Sequence, residues 1–155
     1  MNEINTDSVD INHPFTGPHK VELESWISCA PFEKHLGMEI IEAKNGQSVL
    51  TMPFIFELAQ GKGLVHGGAI VSLADTAVAM AVKTIVAPES RFGTISLTSE
   101  FLSPVTKGTL TAKASVKLSK NRTVQGFSTV FNDQKKEVMT FMATFKLAHD
   151  AKVLI

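Results

Sequence analysis

The sequence predicts an α+β domain in which an antiparallel sheet encloses one long apolar helix. Three observations predict it. Residues 69–86 form an apolar stretch whose large side chains, among them Ile70, Leu73, Val78 and Val82, point in every helical direction, so the helix needs cover on most sides. Strand-like runs follow it at 94–102, 109–118, 124–131 and 138–147 with no helix between them. Two strands before the helix and four after it fit α+β rather than alternating α/β units.

At 155 residues and 44% hydrophobic, the chain can bury one core and is short for two. Residues 21–155 read as a single domain. A flexible arm at 1–20 precedes it, polar, with Pro14, Gly17 and Pro18, and without the basic start and apolar core of a secretory signal. Leu23, Trp26, Ile27 and Ala30 recur at helical spacing and predict a short amphipathic helix that Pro31 ends or bends. Runs at 38–43 and 48–54 read as strands, and Asn45-Gly46 between them predicts a hairpin because both residues tolerate positive φ. In 109–118, Leu110, Ala112, Ala114 and Val116 alternate with Thr111, Lys113, Ser115 and Lys117, giving one buried and one wet face. Met139, Phe141, Ala143, Phe145 and Leu147 repeat the alternation after the turn residues Asn132-Asp133-Gln134-Lys135.

Fifteen Lys and Arg balance fifteen Asp and Glu, so no global field favours nucleic acid or an anionic membrane. An anionic ligand must be held by local groups. Cys29 is the sole cysteine, which excludes an intrachain disulfide and a multi-cysteine zinc site, and the five histidines show no metal-ligand spacing. Ser72, Asp75 and Thr76 make 69–86 a buried helix of a soluble domain rather than a membrane span. A cytoplasmic location and the absence of any metal or redox cofactor are the resulting expectations.

The glycine-rich run from Gly61 to Gly68 leads into the long helix, and Asp75 is a carboxylate inside its apolar stretch. Free N–H groups at the positive end of a helix dipole, with a carboxylate nearby, suit a place where an oxygen gains negative charge. His66-Gly67-Gly68, with Asp75 nine residues after His66, resembles the motif of hotdog-fold acyl-CoA thioesterases of the phenylacetate-degradation type. Residues 31–39 resemble that family's approach to its first strand, and Glu100-Phe101-Leu102-Ser103-Pro104 its strand after the helix, so the likeness spans roughly 31–149.

The resemblance implies hydrolysis of an acyl-CoA ester, coenzyme A being part of the substrate and no separate cofactor being needed. It implies that the Gly67 N–H, with Gly68 as a second donor, polarises the thioester carbonyl, and that Asp75 acts as nucleophile or general base. His66 would orient the loop or the thioester. Gln60 stands six residues before His66, where relatives carry Asn or Gln near the thioester and the attacking water. Thr94 stands where some relatives place a hydroxyl beside the acid; read from the residues alone, it belongs to a polar strand face with Ser96, Thr98 and Glu100. Lys120 and Arg122 occupy the position of a basic turn for the coenzyme A phosphates, with Lys62 and Lys107 as further candidates, and Phe54, Phe56 and Leu58 are candidates for an acyl pocket.

Asp75 lies eight residues beyond Gly67, roughly 12 Å along a helix axis. One chain cannot bring both to one carbonyl, so a homodimer with antiparallel helices is expected, extendable to a homotetramer. Two other classes stay open at this stage. One is a hotdog hydratase or dehydratase, although the chain has no His-Phe-Pro-Gly-like segment; the other is a non-catalytic acyl-CoA or acyl-carrier binding protein, which Gln60 in place of Asn keeps in view.

Overall fold

Pro31 starts a helix rather than ending one. The computed structural model describes residues 16–155, so most of the expected arm at 1–20 lies outside the described residues. Residues 24–28 form bends in place of the expected amphipathic helix, and α1 (Pro31–His35) begins with Pro31 where a missing N–H is harmless. Local bonds compete with a helix before it: Ser28 Oγ donates to Ser25 O at 2.7 Å and accepts the Ser25 N–H at 3.3 Å. Trp26 instead straps the far end of the long helix. Its indole N–H donates to Lys83 O at 3.0 Å, and Lys83 Nζ lies 4.7 Å from the ring centroid while donating to Trp26 O at 2.8 Å.

Strands β1 (Glu39–Lys44) and β2 (Gln47–Pro53) form the expected hairpin, with φ of 52° at Asn45 and 74° at Gly46. A 3₁₀ turn (Phe56–Leu58) and the glycine-rich loop lead to α2 (Gly67–Lys83). Strands β3 (Phe92–Phe101), β4 (Thr109–Leu118), β5 (Thr123–Phe131) and β6 (Glu137–Leu147) follow, each within two residues of its predicted bounds. All pairings are antiparallel in one six-stranded sheet of order β1-β2-β4-β5-β6-β3, which leaves β1 and β3 as edges. The helix stops short of residue 86 because Thr84 caps it: Thr84 Oγ1 donates to Ala81 O at 2.7 Å and accepts the Gly46 N–H at 2.8 Å.

α2 touches all six strands, so the sheet curls around it as the hotdog fold requires. Leu73, Ala74, Ala77, Val78, Ala81 and Val82 are fully buried on the sheet side against residues such as Leu50, Val124 and Phe141. The opposite stripe, Gly68, Val71, Ser72, Asp75 and Ala79, keeps some exposure, at the i, i+3, i+4 spacing of one helix face. Enclosure is thus complete on one side and open on the other.

β5 approaches α2 most closely at Gly126, where a Cβ would stand 2.2 Å from Val78 Cγ1. Val78 is β-branched and fully buried, so it cannot swing aside. Gly126→Ala is expected to lower stability by about 1–3 kcal/mol through overpacking. Urea-unfolding midpoints check this, and in a double-mutant cycle with Val78→Ala the combined loss should be smaller than the sum.

Candidate active site

The loop before α2 is closed on itself. Ala59 and Val65 form an antiparallel bridge, Gln60 N–H donates to Leu64 O at 2.8 Å, and Gly63 takes a φ of 82°. His66 then caps the helix. Its Nδ1 accepts the Gly68 N–H at 2.8 Å, and its carbonyl accepts from Ala69 N at 3.0 Å and, more weakly, from Ile70 N at 3.4 Å. In that first turn, only the Gly67 N–H has no acceptor among the described residues. The expected pair of donors therefore reduces to one, because His66 engages Gly68. An imidazole that accepts at Nδ1 carries its neutral-form proton on Nε2, so His66 holds the loop while keeping a donor on its exposed side.

Gly67 shares a cleft of about 430 Å³ with Gln60, Leu64, Ile70, Phe101 and Pro104. Gln60 Oε1 accepts the Lys62 backbone N–H, which leaves the amide NH₂ as its free end. The candidates Phe54, Phe56 and Leu58 do not line this cleft; Phe56 is 89% exposed and Leu58 belongs to the core.

Asp75 lies two turns along α2 on its open stripe, half-buried. Thr94 Oγ1 donates to its Oδ1 at 2.9 Å. The expectation that Thr94 shares a face with Ser96, Thr98 and Glu100 fails because of a β-bulge at Ile95. Thr94 pairs with Phe145 and Ser96 with the adjacent Thr144, so the extra residue turns Thr94 to the helix side. Ser96, Thr98 and Glu100 face away from the helix. Burial pushes the Asp75 carboxyl above its ordinary value, and the Thr94 hydrogen bond, which favours the charged form, offsets part of the rise.

Lys120 and Arg122 lie at the other end of the sheet from Gly67 of their own chain. Phe101, beside Gly67, pairs with Met139, which pairs with Val130, which pairs with Ala112. Lys120 is eight residues beyond Ala112, roughly 27 Å at about 3.4 Å per residue. Asn121 and Arg122 both adopt a φ of 57°, and the Arg122 guanidinium donates to Ala148 O at 2.7 Å and Ala151 O at 2.5 Å. Arg122 is thus engaged in pinning the C-terminal segment. Lys62 is exposed in the glycine-rich loop and Lys107 in the loop after β3, nearer the Gly67 end. Among the described residues, no group of three or more His, Cys, Asp or Glu side chains is placed to hold a metal, and no helix is long and apolar enough to cross a membrane.

Among the described residues, the first turn of α2 thus offers a single free N–H beside a largely apolar cleft, and two turns further along it stands a half-buried carboxylate. The sequence pattern of the thioesterase superfamily matches residues 62–139, which include Gly67, Asp75 and Thr94. The chain belongs to the thioesterase superfamily. This thioesterase is 36% identical over 117 residues to the acyl-coenzyme A thioesterase PaaI of Escherichia coli, a match covering 74% of this chain and 78% of that protein. The solved structure of E. coli PaaI, from the phenylacetic acid degradation operon, superposes with a TM-score of 0.68 at 32% identity, covering 76% of this chain and 83% of that one. A conserved Pseudomonas aeruginosa protein shares the fold, with a TM-score of 0.74 at 20% identity over 79% of this chain and 97% of that one. The protein is a PaaI-like thioester hydrolase of the hotdog fold.

Because burial raises the Asp75 pKa, the folded state holds that proton more tightly than the unfolded chain does. Stability therefore falls as pH rises from the ordinary carboxylate value through the folded one. Asp75→Asn is expected to melt at a higher temperature than the parent near pH 7, with the gap closing below about pH 4. Thr94→Val should move the Asp75 titration further upward, which carboxyl-carbon NMR reads directly.

Proposed function

We propose that this thioesterase hydrolyses an acyl-CoA thioester to the free acid and coenzyme A at a site shared by two chains. A mismatch of reach carries the proposal: among the described residues Gly67 offers the one free N–H of the first turn of α2, and Asp75 sits eight residues away on the same helix, roughly 12 Å. A carbonyl bound at Gly67 is beyond Asp75 of its own chain. A second copy with its helix antiparallel brings Asp75 of the partner subunit to Gly67, and two-fold symmetry makes two equivalent sites. Strand β3 supports this pairing. It is a ten-residue sheet edge that exposes 62% of Ile95 and 46% of Leu97, and an open edge of that length is a template for another strand.

In the reaction the Gly67 N–H donates to the thioester carbonyl oxygen and holds the negative charge that develops there. The raised pKa of Asp75 suits a proton acceptor. Asp75 of the partner subunit either takes a proton from an attacking water or itself attacks the carbonyl carbon. In both courses the C–S bond breaks, one water is consumed, and the acid and the coenzyme A thiol leave. Thr94 orients the Asp75 carboxylate, and the free Gln60 NH₂ donates to the water or the carboxylate. His66 holds the loop that presents Gly67.

The same two-fold carries the second copy's β4–β5 turn toward the Gly67 end, where its Lys120 would meet the coenzyme A phosphates, with Arg122 bracing the turn. Pairing of dimers into a homotetramer would use the outer sheet face, where Phe127 and Met142 oppose each other with 45% and 55% exposure. Water is the sole co-reactant this reading needs, and a coenzyme A ester together with a single cysteine suits the cytoplasm.

Thiol release from phenylacetyl, benzoyl and straight-chain acyl-CoA esters tests the proposal. At least one ester should turn over, and Asp75→Asn should lower its kcat by about 10²–10⁴-fold. Folded protein that binds these esters and releases no thiol would favour the binding-protein reading instead.

A further inference from the structure

We propose that Phe101 sets the size of the acyl group accepted, by standing across the cleft beside Gly67. The proposal rests on the hydrolytic reading for its choice of ligand. The cleft starts at the one free N–H of the first turn of α2 and runs between Leu64, Ile70 and Pro104, with Gln60 and Ser103 as its polar side chains. A thioester fixed there by its carbonyl must send one of its two arms along these walls. The thiol arm of coenzyme A carries amides that lose hydrogen bonds against apolar walls, whereas an acyl arm gains by burial there.

Phe101 ends β3 and pairs with the buried Met139, which places it on the helix side of the sheet. A Cβ on Gly67 would stand 3.2 Å from Phe101 Cζ, so the ring tip borders the amide that fixes the carbonyl. The first acyl carbons beyond the carbonyl therefore meet this ring. Phe101 is also 53% exposed, so trimming it widens the cleft without emptying a buried core site. A full ring admits slim acyl groups at that point and excludes those branched or bulky next to the carbonyl.

The test measures kcat/KM for esters graded from straight-chain to branched acyl groups, each prepared on coenzyme A and on the short thiol N-acetylcysteamine. Wild type, Phe101→Ala and Phe101→Leu are compared, with sedimentation checking that each keeps its assembly state. The bulky-to-slim ratio should rise about tenfold or more in Phe101→Ala, in both thiol series, with Phe101→Leu between. An unchanged ratio overturns the proposal. So does an equal loss for all coenzyme A esters that is absent with N-acetylcysteamine, because the cleft would then hold the thiol arm. Dissociation constants of non-hydrolysable acyl thioethers read the same ranking, so a wild type that hydrolyses nothing would refute the hydrolytic reading while still deciding the role of Phe101.

Discussion

The candidate site depends on α2 being enclosed by the sheet on one side and left open along one stripe. The enclosed side permits a close approach: fully buried alanines 74, 77 and 81 and the bare backbone of Gly126 let the strands close around the helix. The open stripe carries Asp75, half-desolvated and held by a single hydroxyl. A carboxylate fully enclosed by apolar neighbours would be neutral and inert, and one fully in water would be an ordinary acid. Its position at the boundary, with a carboxyl raised above its ordinary value, suits the proton-accepting role proposed for it.

The helix start is shaped by an equally local competition. A capping histidine satisfies one first-turn N–H and its carbonyl accepts two more, so a single backbone donor is left at Gly67. A donor in a fixed frame needs no rearrangement when charge develops on a bound carbonyl, and the absent side chain lets that carbonyl come close. Gly67 and Asp75 occupy different turns of one rigid helix, and rigidity prevents them from meeting. In the reaction proposed above, the assembly of two chains is therefore part of the chemistry rather than an addition to it.

Much of this was legible in the sequence where local chemistry decides the structure. Asn45-Gly46 announces its hairpin because few residues accept two positive φ values in succession, and the alternation in β4 and β6 announces their buried faces. The long helix and its glycine entry were equally legible, but the capping of Gly68 by the His66 ring was not. What else was hidden depends on distant contacts. Trp26 fits a helical period, yet its indole N–H finds Lys83 O, 57 residues away, and the segment follows that bond. The bulge at Ile95 has no glycine or proline to signal it, and it alone turns Thr94 from the solvent face to Asp75. Arg122 reads as a free basic turn until the carbonyls of Ala148 and Ala151 are seen around it.

The most direct test of a site shared between chains is complementation by two inactive variants, Gly67→Pro and Asp75→Asn. Proline removes the N–H at the first helical position, which suits proline; its Cβ presses only on the tip of the half-exposed Phe101 ring, and His66 before it already has the extended φ of −63° and ψ of 132° that proline requires. Random mixing makes half the dimers mixed, each with one intact site, so activity should return to about a quarter of wild type. Mixtures that form dimers yet stay as inactive as the separate variants would contradict the account, because Gly67 and Asp75 would then act within one chain or not together at all.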